Sequence, residues 1–169
     1  MPEHNFPPPP TATIADNELL EGDEVLVIVD DFPDIVGLLR EFLEQRGFPS
    51  VTAGSAGELR QHLSTRNVAL ILLDIGLPDA DGMQLLPELK KSRPDLAVIM
   101  LTAVTDLQTA LVCLRYGADD YLTKPFATQE LEARLRALIR RNRKEVARQV
   151  LKVGDLSFDP TCHRVRRGD

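Results

Sequence analysis

Groups able to do chemistry stand where apolar runs stop. Asp30 and Asp31 follow Val25-Leu26-Val27-Ile28-Val29. Asp74 follows the six apolar residues Val68 to Leu73, Thr102 follows Leu96 to Leu101, and Lys124 comes just after Tyr121-Leu122. Short apolar runs bounded by turn residues read as strands buried on both faces. Open parallel α/β sheets place ligands beyond the carboxyl ends of such strands. With the strands side by side, three carboxylates, a hydroxyl and an ammonium converge on one rim. Two carboxylates ~4 Å apart repel by on the order of 4 kcal/mol at an effective dielectric near 20, so the cluster needs a cation. A hard divalent ion with oxygen ligands fits. Mg²⁺ is the natural choice, because it takes few carboxylates and keeps water and phosphate oxygens. The lysine offers a second positive charge to an incoming phosphoryl group. A carboxylate so placed can act as a nucleophile and become an aspartyl phosphate. Taken singly, these residues have commoner uses: Asp30, Asp31, Asp74 and Thr102 as helix caps, Tyr121 as a half-buried strand aromatic, and Lys124 as a solvated cation.

The elements that must position them can be read in order. After the first strand, Pro33 suits a first helical turn, and Ile35, Leu38, Leu39, Phe42 and Leu43 form an amphipathic stripe closed by Gly47. Phe48 to Thr52 is a short second strand. Ser55 and Glu58 form a capping box for a helix carrying Leu59 and Leu63. Val68 to Leu73 is the third strand. Asp81-Gly82 opens a helix with Met83, Leu85, Leu86 and Leu89, with Pro87 confined to its first turns. Leu96 to Leu101 is the fourth strand, and Asp106 starts a helix ended by Tyr116-Gly117. Tyr121-Leu122 lies in the fifth strand, and Thr128 begins a long helix with Leu131, Leu135, Leu138 and Ile139. Five strands alternating with five helices over short connections predict a parallel three-layer α/β fold with right-handed crossovers.

The composition agrees with a folded domain and some additional chain. Of 169 residues, 43% are apolar and none is Trp, so the core is aliphatic. The net charge of −6 is split unevenly. Residues 134–169 hold 11 Lys and Arg against 4 acids (net +7), and residues 1–133 hold 9 against 22 (net −13). A basic end of this kind suits nucleic acid or merely a solvated helix face and tail. Cys113 and Cys162 lie in no metal-like spacing, which predicts free thiols. No apolar run reaches the ~18 residues of a membrane span, and no signal peptide is visible, so a cytoplasmic protein away from membranes is expected. Residues 1–23, with Pro7-Pro8-Pro9-Pro10, read as a disordered arm.

Four motifs resemble one family. Asp30-Asp31 after the first strand, Asp74-x-x-Leu77-Pro78-x-x-Asp81-Gly82, Leu101-Thr102-Ala103, and Gly117-Ala118-Asp119-Asp120-Tyr121-Leu122-Thr123-Lys124-Pro125-Phe126 occur in order, each at a strand end. Together they are similar to the receiver domain of two-component response regulators of the OmpR/PhoB type, over roughly residues 24–143. The resemblance implies a flavodoxin-like (βα)5 fold with a parallel five-stranded sheet in the order 2-1-3-4-5. It makes Asp74 the phosphoacceptor of a sensor histidine kinase. Asp31, Asp74 and the backbone carbonyl of Gly76 would hold Mg²⁺, with Asp30 assisting. Lys124 would contact the phosphoryl group, Thr102 and Tyr121 would act as the coupled switch pair, and Lys124-Pro125 would be cis. Gly76 and Val104 would flank the site where the family tunes hydrolysis. Asp119 or Asp120, Glu130, Arg134 and Arg141 match the charged positions of the family's homodimer face, made of the fourth helix, fifth strand and fifth helix. The fourth helix departs from that pattern: it carries no charge from Leu107 to Leu114, and Ala110 stands where a basic partner of Glu130 is usual.

In residues 144–169, the stretch 151–168 alternates apolar and polar side chains around Pro160 and reads as a β-hairpin. They resemble the opening strands of a winged-helix DNA-binding domain. On that expectation they are a linker and a truncated start, too short to fold and disordered, so DNA binding and transcription control belong to a longer protein. Two other classes compete. A metal-dependent phosphatase of the dehalogenase type also uses an Asp nucleophile, but it needs a second Asp two positions on, where Gly76 stands. A receiver that signals without phosphorylation would not need the full set of Asp30, Asp31, Asp74, Thr102 and Lys124.

Overall fold

The computed structural model describes residues 20–103, 105–148, 151–153, 156–159 and 164–167, with side chains for residues 20–103 and 105–143. The expected arm before residue 20, Val104, Pro160 and Cys162 lie outside the described residues.

Strands and helices alternate: β1 (Val25–Val29), α1 (Pro33–Gln45), β2 (Ser50–Ala53), α2 (Ala56–Thr65), β3 (Val68–Asp74), α3 (Gly82–Ser92), β4 (Ala97–Thr102), α4 (Leu107–Arg115), β5 (Asp120–Thr123) and α5 (Thr128–Arg148). The first five strands form one sheet in the order β2-β1-β3-β4-β5, and every pairing is parallel. This is the predicted topology.

The period of two along each strand divides the core. Leu26 and Ile28 of β1, Leu70 and Leu72 of β3, and Ala97, Ile99 and Leu101 of β4 face one side. There they meet Val36, Leu39 and Leu43 of α1 and Leu131, Leu135, Leu138 and Ile139 of α5. Val27, Val29, Ile71, Leu73, Val98 and Met100 face the other side, against Leu59 of α2, Leu85, Leu86 and Leu89 of α3, and Cys113 of α4. Strands covered on both faces need apolar residues at every position, so the runs are continuous.

Several local expectations change. On α1, Val36 is buried while Ile35 and Leu38 are 45% and 71% exposed. The apolar stripe is wider than the sheet can cover, and contact is taken by Val36, Leu39 and Leu43 at spacings of three and four. Phe48 is buried but precedes β2. Its N–H closes the end of α1 by donating to Leu43 O at 3.0 Å, with Gly47 at φ +86°, a left-handed helix stop. The capping box of α2 is displaced by one residue. Ser55 Oγ accepts from Glu58 N at 3.2 Å, whereas the Glu58 carboxylate accepts from Gly54 N at 2.7 Å. β4 ends at Thr102, as expected, but begins at Ala97, one residue after Leu96. Pro87 is the sixth residue of α3, in its second turn, and so within the first turns as expected.

Beyond α5, β6 (Leu151–Val153), β7 (Leu156–Asp159) and β8 (Arg164–Arg167) pair antiparallel in that order. A three-stranded meander therefore replaces the single hairpin and the disorder expected from the sequence. Residues 151–153 alternate in the same way as the two runs that follow them, and this gives β7 a partner on each side.

Candidate functional site

The parallel register brings the strand ends together. Val29 is level with Leu73, Asp74 with Leu101, and Thr102 with Thr123. Neighbouring strands are ~4.8 Å apart, so residues following these positions share one rim. Asp30, Asp31 and Asp74 each offer a carboxylate oxygen, and these oxygens lie within 4.8 Å of one another. Lys124 reaches into the group. Its Nζ donates to Asp30 Oδ2 at 2.5 Å and to Asp74 Oδ1 at 3.4 Å. Asp30 and Asp74 are buried, whereas Asp31 is exposed.

Backbone contacts fix these groups. Asp30 N donates to Ala53 O at 3.0 Å, continuing the β1–β2 ladder past its last strand residue. Asp30 Oδ1 accepts from Phe32 N at 3.0 Å, so both oxygens of Asp30 are engaged and its carboxylate is oriented. Lys124 N donates to Thr102 O at 2.7 Å, which sets the start of the lysine side chain beside the end of β4. The Lys124-Pro125 peptide is cis.

Three carboxylates against one ammonium leave two negative charges in a half-buried site. Burial holds the Asp74 carboxyl above the usual carboxylate range. Lys124 opposes that rise, and the charges of Asp30 and Asp31 add to it. A hard divalent cation would balance that charge, and the donors are all oxygens, so the cluster could hold a metal ion of the kind expected.

Thr102 is buried at 2% exposure. Tyr121 packs half-buried against the α2–α3–α4 side of the core and shares a side-chain hydrogen bond with Thr102. Burial pushes its phenol pKa up, and the Thr102 hydrogen bond acts against that. The two residues expected as a switch pair are in contact.

The loop from β3 to α3 carries Gly76. Gly76 bridges to Asp81, Gly82 N donates to Ile75 O at 2.7 Å, and Asp81 caps α3 by accepting from Met83 N at 2.8 Å. Gly82 is a glycine for steric reasons. A Cβ there would lie 2.4 Å from Asp74 O and 2.9 Å from Ile75 Cα. Sequence reasoning missed one residue of this loop. Asp79 accepts from Ala56 N at 2.8 Å and from Gly57 N at 3.0 Å, at the start of α2. Those two amides hold its carboxyl below the usual range. The capped helix lies 22–23 residues earlier in the chain, so no local signal marks the contact.

The charged residues expected on a dimer face are paired within the chain. Arg134 Nη1 donates to both oxygens of Asp120 at 2.9 Å, and Nη2 reaches Glu130 at 3.0 Å. Asp119 takes Lys90 Nζ at 2.6 Å, Val98 N at 2.9 Å and Arg141 at 2.8 Å. Asp120, Glu130, Arg134 and Arg141 line a groove between β5 and α5. On α4, Leu107, Leu111 and Leu114 stand exposed, so the helix, uncharged up to Arg115, presents an apolar stripe.

Among known families, residues 26–136 match the response regulator receiver domain. The chain is 39% identical over 147 residues to the phosphate regulon transcriptional regulatory protein PhoB of Escherichia coli, an alignment covering 86% of this chain and 64% of that protein. It is 35% identical to the DNA-binding response regulator MtrA of Mycolicibacterium smegmatis, over 84% of this chain and 61% of MtrA. The chain thus spans a little under two thirds of the length of these relatives. Among solved structures, it is similar to a CheY-like receiver domain protein of Methanospirillum hungatei, with TM-score 0.69 and 31% identity over 73% of this chain and 99% of that one.

Proposed function

The chain belongs to the response regulator receiver domain family of signalling proteins, and from that premise we propose that it is a switch set by phosphorylation of Asp74. The observation that carries this reading is the rim cluster: three carboxylates within 4.8 Å and one ammonium reaching two of them. A sensor histidine kinase or a small acyl phosphate donates the phosphoryl group. An Asp74 oxygen attacks phosphorus in line, the bond from phosphorus to the donor breaks, and the leaving group departs with its electron pair. Asp31, Asp74 and the Gly76 carbonyl would hold Mg²⁺, with Asp30 oriented beside them, and the ion would supply positive charge at the phosphoryl oxygens. Lys124 moves from its Asp30 pair toward those oxygens, and Thr102 donates to another, so its contact with Tyr121 changes. The same residues admit the water that later hydrolyses the acyl phosphate.

Phosphorylation replaces a single charge with about −2 and adds acceptor oxygens. Driving a two-state equilibrium from 1:99 to 99:1 takes ~5.5 kcal/mol of differential interaction, which these contacts must supply between the two states. The output is a homodimer through α4, β5 and α5. Because Arg134, Asp120 and Glu130 are already paired within one chain, Leu107, Leu111 and Leu114 contribute the apolar share of that contact. Residues 24–143 form the receiver unit, and residues 144–169 lead into a DNA-binding region that acts in a longer, cytoplasmic transcription regulator. Acetyl phosphate tests the reading. With Mg²⁺ it adds one phosphoryl group to the wild-type chain and none in EDTA or to Asp74→Ala. Labelling of Asp74→Ala at the wild-type level contradicts it.

A further inference from the structure

Asp79 is an exposed carboxylate in the middle of the β3–α3 loop, yet both of its oxygens are taken by backbone N–H groups of another element. The first N–H groups of a helix have no partner within the helix, and α2 is served twice. Ser55, its cap residue, accepts from Glu58 N, and Asp79 takes Ala56 N and Gly57 N from outside. The two ends of the loop are held by Gly82 N on Ile75 O and by Asp81 on Met83 N. Between them Leu77 and Ala80 pack against the core, and Asp79 supplies the polar tie of this stretch to a neighbouring element. The place Asp79 grips is not arbitrary. The start of α2 follows the end of β2, where Ala53 O receives Asp30 N. The loop bearing Gly76 is therefore tied through Asp79 to Ala56 and, along the three residues of chain from there back to Ala53, to the strand end bearing Asp30.

We infer that Asp79 is a positioning residue that locks the Gly76 loop to the start of α2 and so holds the cation-binding rim at its working spacing. This rests on the reading in which the Gly76 carbonyl faces Mg²⁺. Asp79 touches neither the ion nor the phosphoryl group. It acts through the loop. A bidentate carboxylate suits two adjacent N–H donors better than an amide, whose NH2 would face one of them.

Calorimetric titration of the full chain with Mg²⁺ tests the inference, using wild type, Asp79→Ala, Asp79→Asn and Ser55→Ala. Residues that hold a metal ligand in place are worth roughly 10–100-fold in affinity, and a carbonyl-bearing loop falls at the low end. Asp79→Ala is therefore expected to weaken Mg²⁺ about tenfold, and Asp79→Asn, with one accepting oxygen left, by less. Ser55→Ala removes an acceptor from the same helix end without touching the loop, and it should leave the affinity within about twofold of wild type. Amide exchange at Ala56 and Gly57 should quicken in Asp79→Ala. Unchanged Mg²⁺ affinity in Asp79→Ala overturns the inference while the phosphorylation reading stands. Equal losses in Ser55→Ala and Asp79→Ala also overturn it, because the effect then comes from loosening α2. If the wild-type chain takes up no Mg²⁺ at Asp74, the functional reading fails and the inference with it.

Discussion

Gly82→Ala probes how tightly β3 is tied to the loop after it. The added Cβ would sit 2.4 Å from the carbonyl oxygen of Asp74, where ordinary contact begins at 3.4 Å, a shortfall of 1.0 Å. The obstacles are backbone atoms of Asp74 and Ile75, which no rotamer change can clear. Either α3 or the loop carrying Gly76 must move by about the shortfall, and the 2.7 Å bond from Gly82 N to Ile75 O must lengthen. Overpacking of this kind costs ~1–3 kcal/mol. For a unit of this size that is a melting-point loss on the order of 4–12 °C. A misplacement near 1 Å at reacting groups costs on the order of 10²-fold in rate. Phosphorylation by acetyl phosphate, followed by intact mass over time, should therefore slow by on the order of 10²-fold, at temperatures well below the variant's melting point. A wild-type rate together with a wild-type melting temperature would refute the claim that this contact sets the loop.

Two further substitutions test the electrostatics and the backbone. In EDTA, Asp74→Asn should melt higher than wild type at neutral pH. The folded-state carboxyl lies above the usual range chiefly through burial, so folding loses stability as pH rises through that interval and Asn escapes the loss. The advantage should disappear below the usual carboxylate range, where Asp74 is protonated in both states. A gain that persists there unchanged would assign it to packing. Gly37→Ala, in the exposed middle of α1 with nothing within 4 Å of the new methyl, should stabilise by ~0.5–1 kcal/mol and leave phosphorylation untouched. A denaturant midpoint that does not rise would refute it.

Most of the fold was legible because both faces of the sheet are covered. Continuous apolar runs marked β1, β3 and β4, and their last residues marked the rim. The limits lay where tertiary contact overrides local pattern. Ile35 and Leu38 belong to the stripe of α1 but not to its buried face. Phe48 looked like strand and closes a helix instead. Asp30, Asp31, Asp74, Thr102, Tyr121 and Lys124 were identified by their places at strand ends, and the parallel register gathers them. Lys124 stands closer to Asp30 than to Asp74, because Asp30 is the buried carboxylate whose orientation is fixed by a backbone amide. Asp79 could not be found from sequence, since its partners lie on a helix 22–23 residues upstream and its neighbours give it no pattern. The internal pairing of Arg134 and Arg141 was equally hidden, because charge types reveal possible partners but not whether those partners lie in the same chain.

The central claim is that Asp74 is the carboxylate that takes the phosphoryl group. Borohydride reduction of the chain after treatment with acetyl phosphate and Mg²⁺, followed by peptide mapping, reads that residue directly. Conversion is expected at Asp74 alone, and is absent when EDTA replaces Mg²⁺. Conversion at Asp30 or Asp31, or at Asp74 with equal yield in EDTA, would contradict it.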